Sequence, residues 1–241
     1  MPRNNYLNIL LVLTLIVFNT LVTGRIKSDE SEFDKRNYIL LSKSFEKTLY
    51  RLLARADYEN RPRKYIKDDG SIYYEYKRSK HEPKPSIEKL EYLISRDPNF
   101  TSNTNYIKKI LHELRSKDIN IILTKNNLYN HTAKWTPIKK TIQLEFNLIA
   151  LGTKVFSEML NHEVIHVAQS CHSGSFNSNP RLLGLRIENK QYLFKNLDSP
   201  LYDGIKTDQK QLELEAYSNQ HDLVLGHHLL KKYCSSDISY D

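Results

Sequence analysis

Apolar and polar residues follow two different periods along this chain, and the change falls near residue 118. In residues 33–56, Tyr38, Leu41, Phe45, Leu49 and Leu52 recur at helical spacing with arginine and lysine on the other side, which predicts an amphipathic helix. Arg63–Arg78 predicts a hairpin, because the β-favouring runs KYI and SIYYEY flank the turn sequence Asp68-Asp69-Gly70. Lys80–Pro85 is a charged, proline-bearing connector. Helices are expected at Ser86–Arg96 and Asn103–Lys117, the second begun near an Asn or Thr cap. Then Ile119–Leu123 reads as a short apolar strand, and Lys140–Phe146 alternates as a half-exposed strand does. After Gly152 a helix is expected from Thr153 to Ser170. Residues 173–209 are rich in Ser, Asn, Gly and Pro, with a short helix near Leu185–Phe194, and a final helix covers Gln209–Tyr233. No internal repeat is present.

The first two dozen residues carry a different pattern. Arg3 precedes an apolar run from Leu7 to Val22, and Val22-Thr23-Gly24 offers small residues at its exit. A basic start, an apolar middle and a small-residue end describe an export signal, with an uncleaved membrane anchor as the alternative. Residues 1–24 are therefore set apart as signal peptide or anchor, followed by an N-terminal helical region with a hairpin over 25–117.

Composition changes this picture only a little. With 39% hydrophobic residues among 241, the chain can bury a core, and its 16 tyrosines fit core-edge packing. The net charge of +8 comes from lysines and arginines mixed with acids. No nucleic-acid-binding motif accompanies them, so a solvated basic face is expected and no nucleic-acid partner. Cys171 and Cys234 can pair in an oxidising compartment or stay apart. Asn99 and Asn130 begin glycosylation sequons, which matter only in a glycosylating host.

The chemistry is concentrated in Asn161-His162-Glu163-Val164-Ile165-His166-Val167-Ala168-Gln169, which contains H-E-x-x-H. Positions i and i+4 of a helix lie one above the other, so His162 and His166 can aim ring nitrogens at one ion. Glu163 lies about 100° round the helix, beside the ligands rather than among them, where it can act as base on a water. Zinc needs a third protein ligand and leaves its fourth position open. Downstream, His172, Glu213 and Glu215 are the candidates. Leu212, Glu215, Ala216, Asn219 and Leu223 share one stripe, so Glu215 sits on an inward face, whereas Glu213 shares a face with Tyr217 and Gln220. A buried carboxylate needs a partner, and zinc is one, which favours Glu215 as the third ligand.

His172 stands at the third-histidine position of the metzincin pattern HExxHxxGxxH, but Gln169 replaces its glycine and no methionine-turn follows. Leu212-Glu213-Leu214-Glu215-Ala216-Tyr217-Ser218-Asn219 resembles instead the gluzincins, whose third ligand is a glutamate on a second helix. Glu215-Ala216-Tyr217-Ser218-Asn219 is similar to their E-x-x-S-D pattern with Asn219 in place of the aspartate, and Glu213 fits E-x-x-A-D with Tyr217 in that place. The resemblance covers about residues 141–225. It implies an α+β, mostly helical zincin-like domain over 118–241, with a small antiparallel sheet and the HExxH helix packed against a glutamate-bearing helix. It implies zinc held by His162, His166 and Glu215, with Glu163 as general base in peptide or amide hydrolysis. In such enzymes an edge strand pairs with an extended peptide, and Lys140–Phe146 stands at that place in chain order. Tyr217, His221 and Tyr192 are candidate donors to the oxyanion. A non-catalytic zincin-shaped binding protein and a cell-wall amidase are the competing readings. The intact Glu163 speaks against the first of these.

Overall fold

The computed structural model describes residues 38–77, 84–125, 132–176, 178–187 and 206–235. The described residues from Leu40 onward belong to one compact unit. The anchor segment Leu7–Val22, most of the Lys80–Pro85 connector, the Asn130 sequon and Tyr192 lie outside the described residues. No described helix is long and apolar enough to cross a membrane.

Six strands and six α-helices occur among the described residues. Strand β1 (Tyr38–Leu40) leads to helix α1 (Glu46–Glu59), then β2 (Arg63–Ile66) and β3 (Ile72–Glu75) form the expected hairpin. Gly70 at its turn adopts φ +80°, a left-handed conformation that favours glycine. Helices α2 (Ile87–Ile94) and α3 (Thr101–Ser116) follow close to the expected bounds. Ser86 caps α2 by accepting from Lys89 N, while Asn99 accepts from Thr101 N at the start of α3.

Strands β4 (Asn120–Thr124), β5 (Ala133–Thr136) and β6 (Thr141–Glu145) belong to one sheet in the order β1-β4-β6-β5. β6 runs parallel to β4 and antiparallel to β5. The fold is thus mixed helix and sheet with helix predominating, and its antiparallel part is small; the parallel β4–β6 pair is an addition to the expectation. β6 alternates as expected, with Ile142 and Leu144 buried and Gln143 and Glu145 half-buried. It is flanked on both sides, however, so the edge strands of this sheet are β1 and β5 and not Lys140–Phe146.

Three expected helices differ. The helix expected over 33–56 starts only at Glu46; Tyr38–Leu40 is extended, and Leu41 N donates to Ile121 O of β4. Leu41 and Phe45 are both buried, so their spacing signalled a shared core and not a shared helix. Residues 185–187 of the short helix expected near Leu185–Phe194 are irregular, and the rest of that range is not described. The last expected helix is two, α5 (Thr207–Asn219) and α6 (Leu223–Tyr233). Asn161 Nδ2 donates to Gln220 O at 2.8 Å and Asp222 O at 3.0 Å between them, and the Asp222 side chain caps α6 by accepting from Leu225 N.

Helix α4 (Thr153–His172) is the hub. It is buried on most sides, with Phe156, Leu160, Val164, Ile165, Val167 and Ala168 fully buried among several buried polar residues. Gly152 precedes it at φ +90°, and a Cβ there would meet the Asp57 carboxylate that caps Thr153 N and Oγ1. Its buried polar residues each hold a neighbour. Ser157 accepts from Asn103 of α3, Asn161 from the Tyr106 hydroxyl, and Ser170 from Trp135 Nε1 of β5. Cys171 and Cys234 form a disulfide joining the ends of α4 and α6.

Candidate metal centre

His162 and His166 lie on the face of α4 turned toward α5, and that face is polar because the helix also carries Gln169 there. Their Nε2 atoms are 3.1 Å apart. Glu213, from the first half of α5, places Oε2 3.3 Å from His162 Nε2 and Oε1 3.4 Å from His166 Nε2. These three residues form a group that could hold a metal ion, with ligand atoms all within 4.8 Å of one another. The His162 side chain is 4% exposed and that of Glu213 26%, so the group is reached from the Glu213 side.

Glu215 is elsewhere. It is interior, as its place on the Leu212–Leu223 stripe predicts, at 1% exposed, but its partners are Gln169 Nε2, Leu183 N and Leu185 N, not the histidines. The structure therefore brings Glu213, rather than the expected Glu215, to the two histidines. The polar face of α5 that carries Glu213 also carries Tyr217, whose ring centroid lies 4.5 Å from that of His162. His172 is exposed at the end of α4 and packs on Tyr233, away from the group. His221 pairs with Glu158, Nδ1 to Oε1 3.1 Å.

Glu163 is 3% exposed, and the Trp135 backbone amide of β5 donates to its carboxylate. The Oε2 atom is buried without a hydrogen-bond partner, as is His162 Nδ1. Burial raises the Glu163 carboxyl above its ordinary range despite the nearby histidines. Burial opposes charge on His166 too, but the Glu213 carboxylate, by charge and hydrogen bond, prevails and lifts the imidazole to about 9. For Glu213, burial is likewise outweighed by His166 and His162, which hold its carboxyl far below the usual range. The Glu213 carboxylate thus favours positive charge beside the two imidazoles.

Comparison with protein-family models, with curated proteins and with solved structures finds no match for this chain. The reading of the site therefore stands on its residues.

Two further residues shape the site beyond those the motif points to. Gln169, three residues beyond His166 on the same face, accepts from His166 Nδ1 at 2.7 Å, and the i, i+3 spacing was a usable signal. Trp135 reaches Glu163 from β5, a four-residue strand too short to show a period.

Proposed function

We propose that this protein is a zinc-dependent hydrolase of peptide or amide bonds, with His162, His166 and Glu213 as metal ligands and Glu163 as general base. One observation carries the reading. The two imidazole Nε2 atoms lie 3.1 Å apart, each within 3.3–3.4 Å of one or the other oxygen of the Glu213 carboxylate, and one ligand atom from each residue can be chosen so that all lie within 4.8 Å of one another. Tetrahedral zinc with N and O bonds of about 2.0–2.1 Å requires ligand atoms about 3.3–3.4 Å apart. Two nitrogens and one carboxylate also leave the fourth position open, as a catalytic site does. When bound, zinc supplies Lewis acidity that activates water and polarises a carbonyl.

The chain's own residues supply the rest. Glu163 Oε2 is the buried oxygen without a partner, and it is the atom placed to accept a proton. The Trp135 amide on the carboxylate holds its orientation. Burial favours the protonated form of Glu163, which suits a group that must carry a proton to a leaving amine. β5 ends the sheet. Its pairing with β6 runs through Thr132, Lys134 and Thr136, which leaves Ala133 N, Ala133 O and Trp135 O for another strand, the Trp135 amide being taken by Glu163. An extended peptide adding there would lie beside Glu163 and gain affinity through its main chain. We also place the protein outside the cytoplasm, with the Cys171–Cys234 disulfide in support.

Glu163→Gln tests the role of the base. The variant should keep its fold and its zinc but lose about 10²–10⁴-fold in peptide or amide cleavage. Undiminished cleavage by the variant would contradict it. Zinc-loaded wild type that cleaves nothing across a peptide library would move the binding-protein reading ahead.

A further inference from the structure

Glu215 lies outside the ligand group, yet a directional chain of hydrogen bonds connects it to the site. Its buried carboxylate accepts from Gln169 Nε2 at 2.9 Å, Leu183 N at 3.0 Å and Leu185 N at 2.8 Å. Gln169 Nε2 also donates to Leu212 O at 3.2 Å. Both partners of that nitrogen, a carboxylate and a carbonyl, only accept, so this end of the amide must be its NH2. The other end, Oε1, then faces His166 Nδ1 at 2.7 Å and can only accept from it. The hydrogen sits on Nδ1. The lone pair of the neutral ring falls on Nε2, the atom 3.4 Å from Glu213 Oε1. His162 has no such support, since its Nδ1 is buried without a partner.

We propose that Glu215, acting through Gln169, is a positioning residue that fixes His166 in the tautomer able to ligate metal through Nε2. The inference rests on the zinc reading above and assigns Glu215 a part in it without contact to the ion. Partners of this kind set ring orientation and ligand basicity, and their loss typically weakens metal binding about 10–100-fold.

The direction of the chain makes the role testable. In Glu215→Gln one end of the side chain no longer accepts, so Gln169 Nε2, Leu183 N and Leu185 N cannot all be satisfied. Gln169 is then held less firmly, and His166 is freer to place its proton on Nε2, where it competes with metal. If Glu215 acts through Gln169, its loss adds nothing once Gln169 is already gone. Zinc affinity is measured by competition with a chromogenic chelator for wild type, Glu215→Gln, Gln169→Leu and the Glu215→Gln/Gln169→Leu double variant. Melting in EDTA is recorded for each. Long-range ¹⁵N–¹H correlation of the zinc-loaded wild type locates the His166 proton.

The expected result is a loss of about 10–100-fold in both single variants, a double variant no weaker than Gln169→Leu, and a proton on His166 Nδ1. Wild-type affinity in Glu215→Gln and Gln169→Leu would overturn the proposal. So would a double variant whose loss is the product of the two single losses, or losses that simply follow the drop in melting temperature. Failure of wild type to bind zinc would overturn the zinc reading and this proposal with it, and that outcome is visible before any variant is compared.

Discussion

Asn161 precedes the first site histidine and faces away from the metal group, where it holds the reversal between α5 and α6. Its Oδ1 accepts from the Tyr106 hydroxyl at 2.6 Å, and its Nδ2 donates to Gln220 O and Asp222 O. Asn161→Ala leaves those three groups without their partner, in an interior where Asn161 is 0% and Tyr106 6% exposed. At about 1 kcal/mol net for each lost bond, and more where a buried group stays unmet, the cost is roughly 3–5 kcal/mol. That is a large part of the roughly 5–15 kcal/mol of a typical domain. Gly226 of α6 sharpens the test, since a Cβ there would overlap Asn161 Oδ1. Gly226→Ala should cost about 1–3 kcal/mol alone, yet less in the Asn161→Ala background, where the clashing amide is gone. Urea unfolding of EDTA-treated protein measures all four species. A shift under about 0.5 kcal/mol for Asn161→Ala, or strict additivity with Gly226→Ala, would refute the reasoning.

Two further expectations concern the metal-free protein. His166 is raised from 6.5 to about 9, so its contribution to stability is fully present below about pH 6.5 and is lost as pH rises through 9. The melting temperature in EDTA should fall over that window, and Glu213→Gln should flatten the fall; an unchanged slope in the variant would contradict the assignment. The Cys171–Cys234 bridge closes a loop of 63 residues. Cys234→Ser should therefore cost about 4 kcal/mol in a denaturant melt, and no change would show that the unfolded chain is not restrained by it.

The HExxH helix was legible because an apolar surround and an i, i+4 histidine pair coincide on α4. The burial of Glu215 was legible for the same reason, from its place on the Leu212–Leu223 stripe. Its partner was not. A buried carboxylate can be satisfied by backbone N–H groups as well as by a cation, and Leu183 and Leu185 supply them from a segment without any period. Glu213 was passed over because it shares a face with polar Tyr217 and Gln220, although a ligand must face the polar side of α4. The break after Asn219 depends on Asn161, some sixty positions earlier, and only Asp222 as a cap was visible locally. Spacing also joined Leu41 and Phe45 into a helix, though one of them follows a strand and the other precedes α1.

The central claim is that His162, His166 and Glu213 hold one zinc ion, and metal analysis with zinc titration tests it most directly. Purified wild type should carry about one equivalent of zinc, and His162→Ala, His166→Ala and Glu213→Ala should each lose it, because removing one of three ligands cripples the site. Wild type that neither carries nor binds zinc, or Glu213→Ala that retains it at wild-type affinity, would contradict the account.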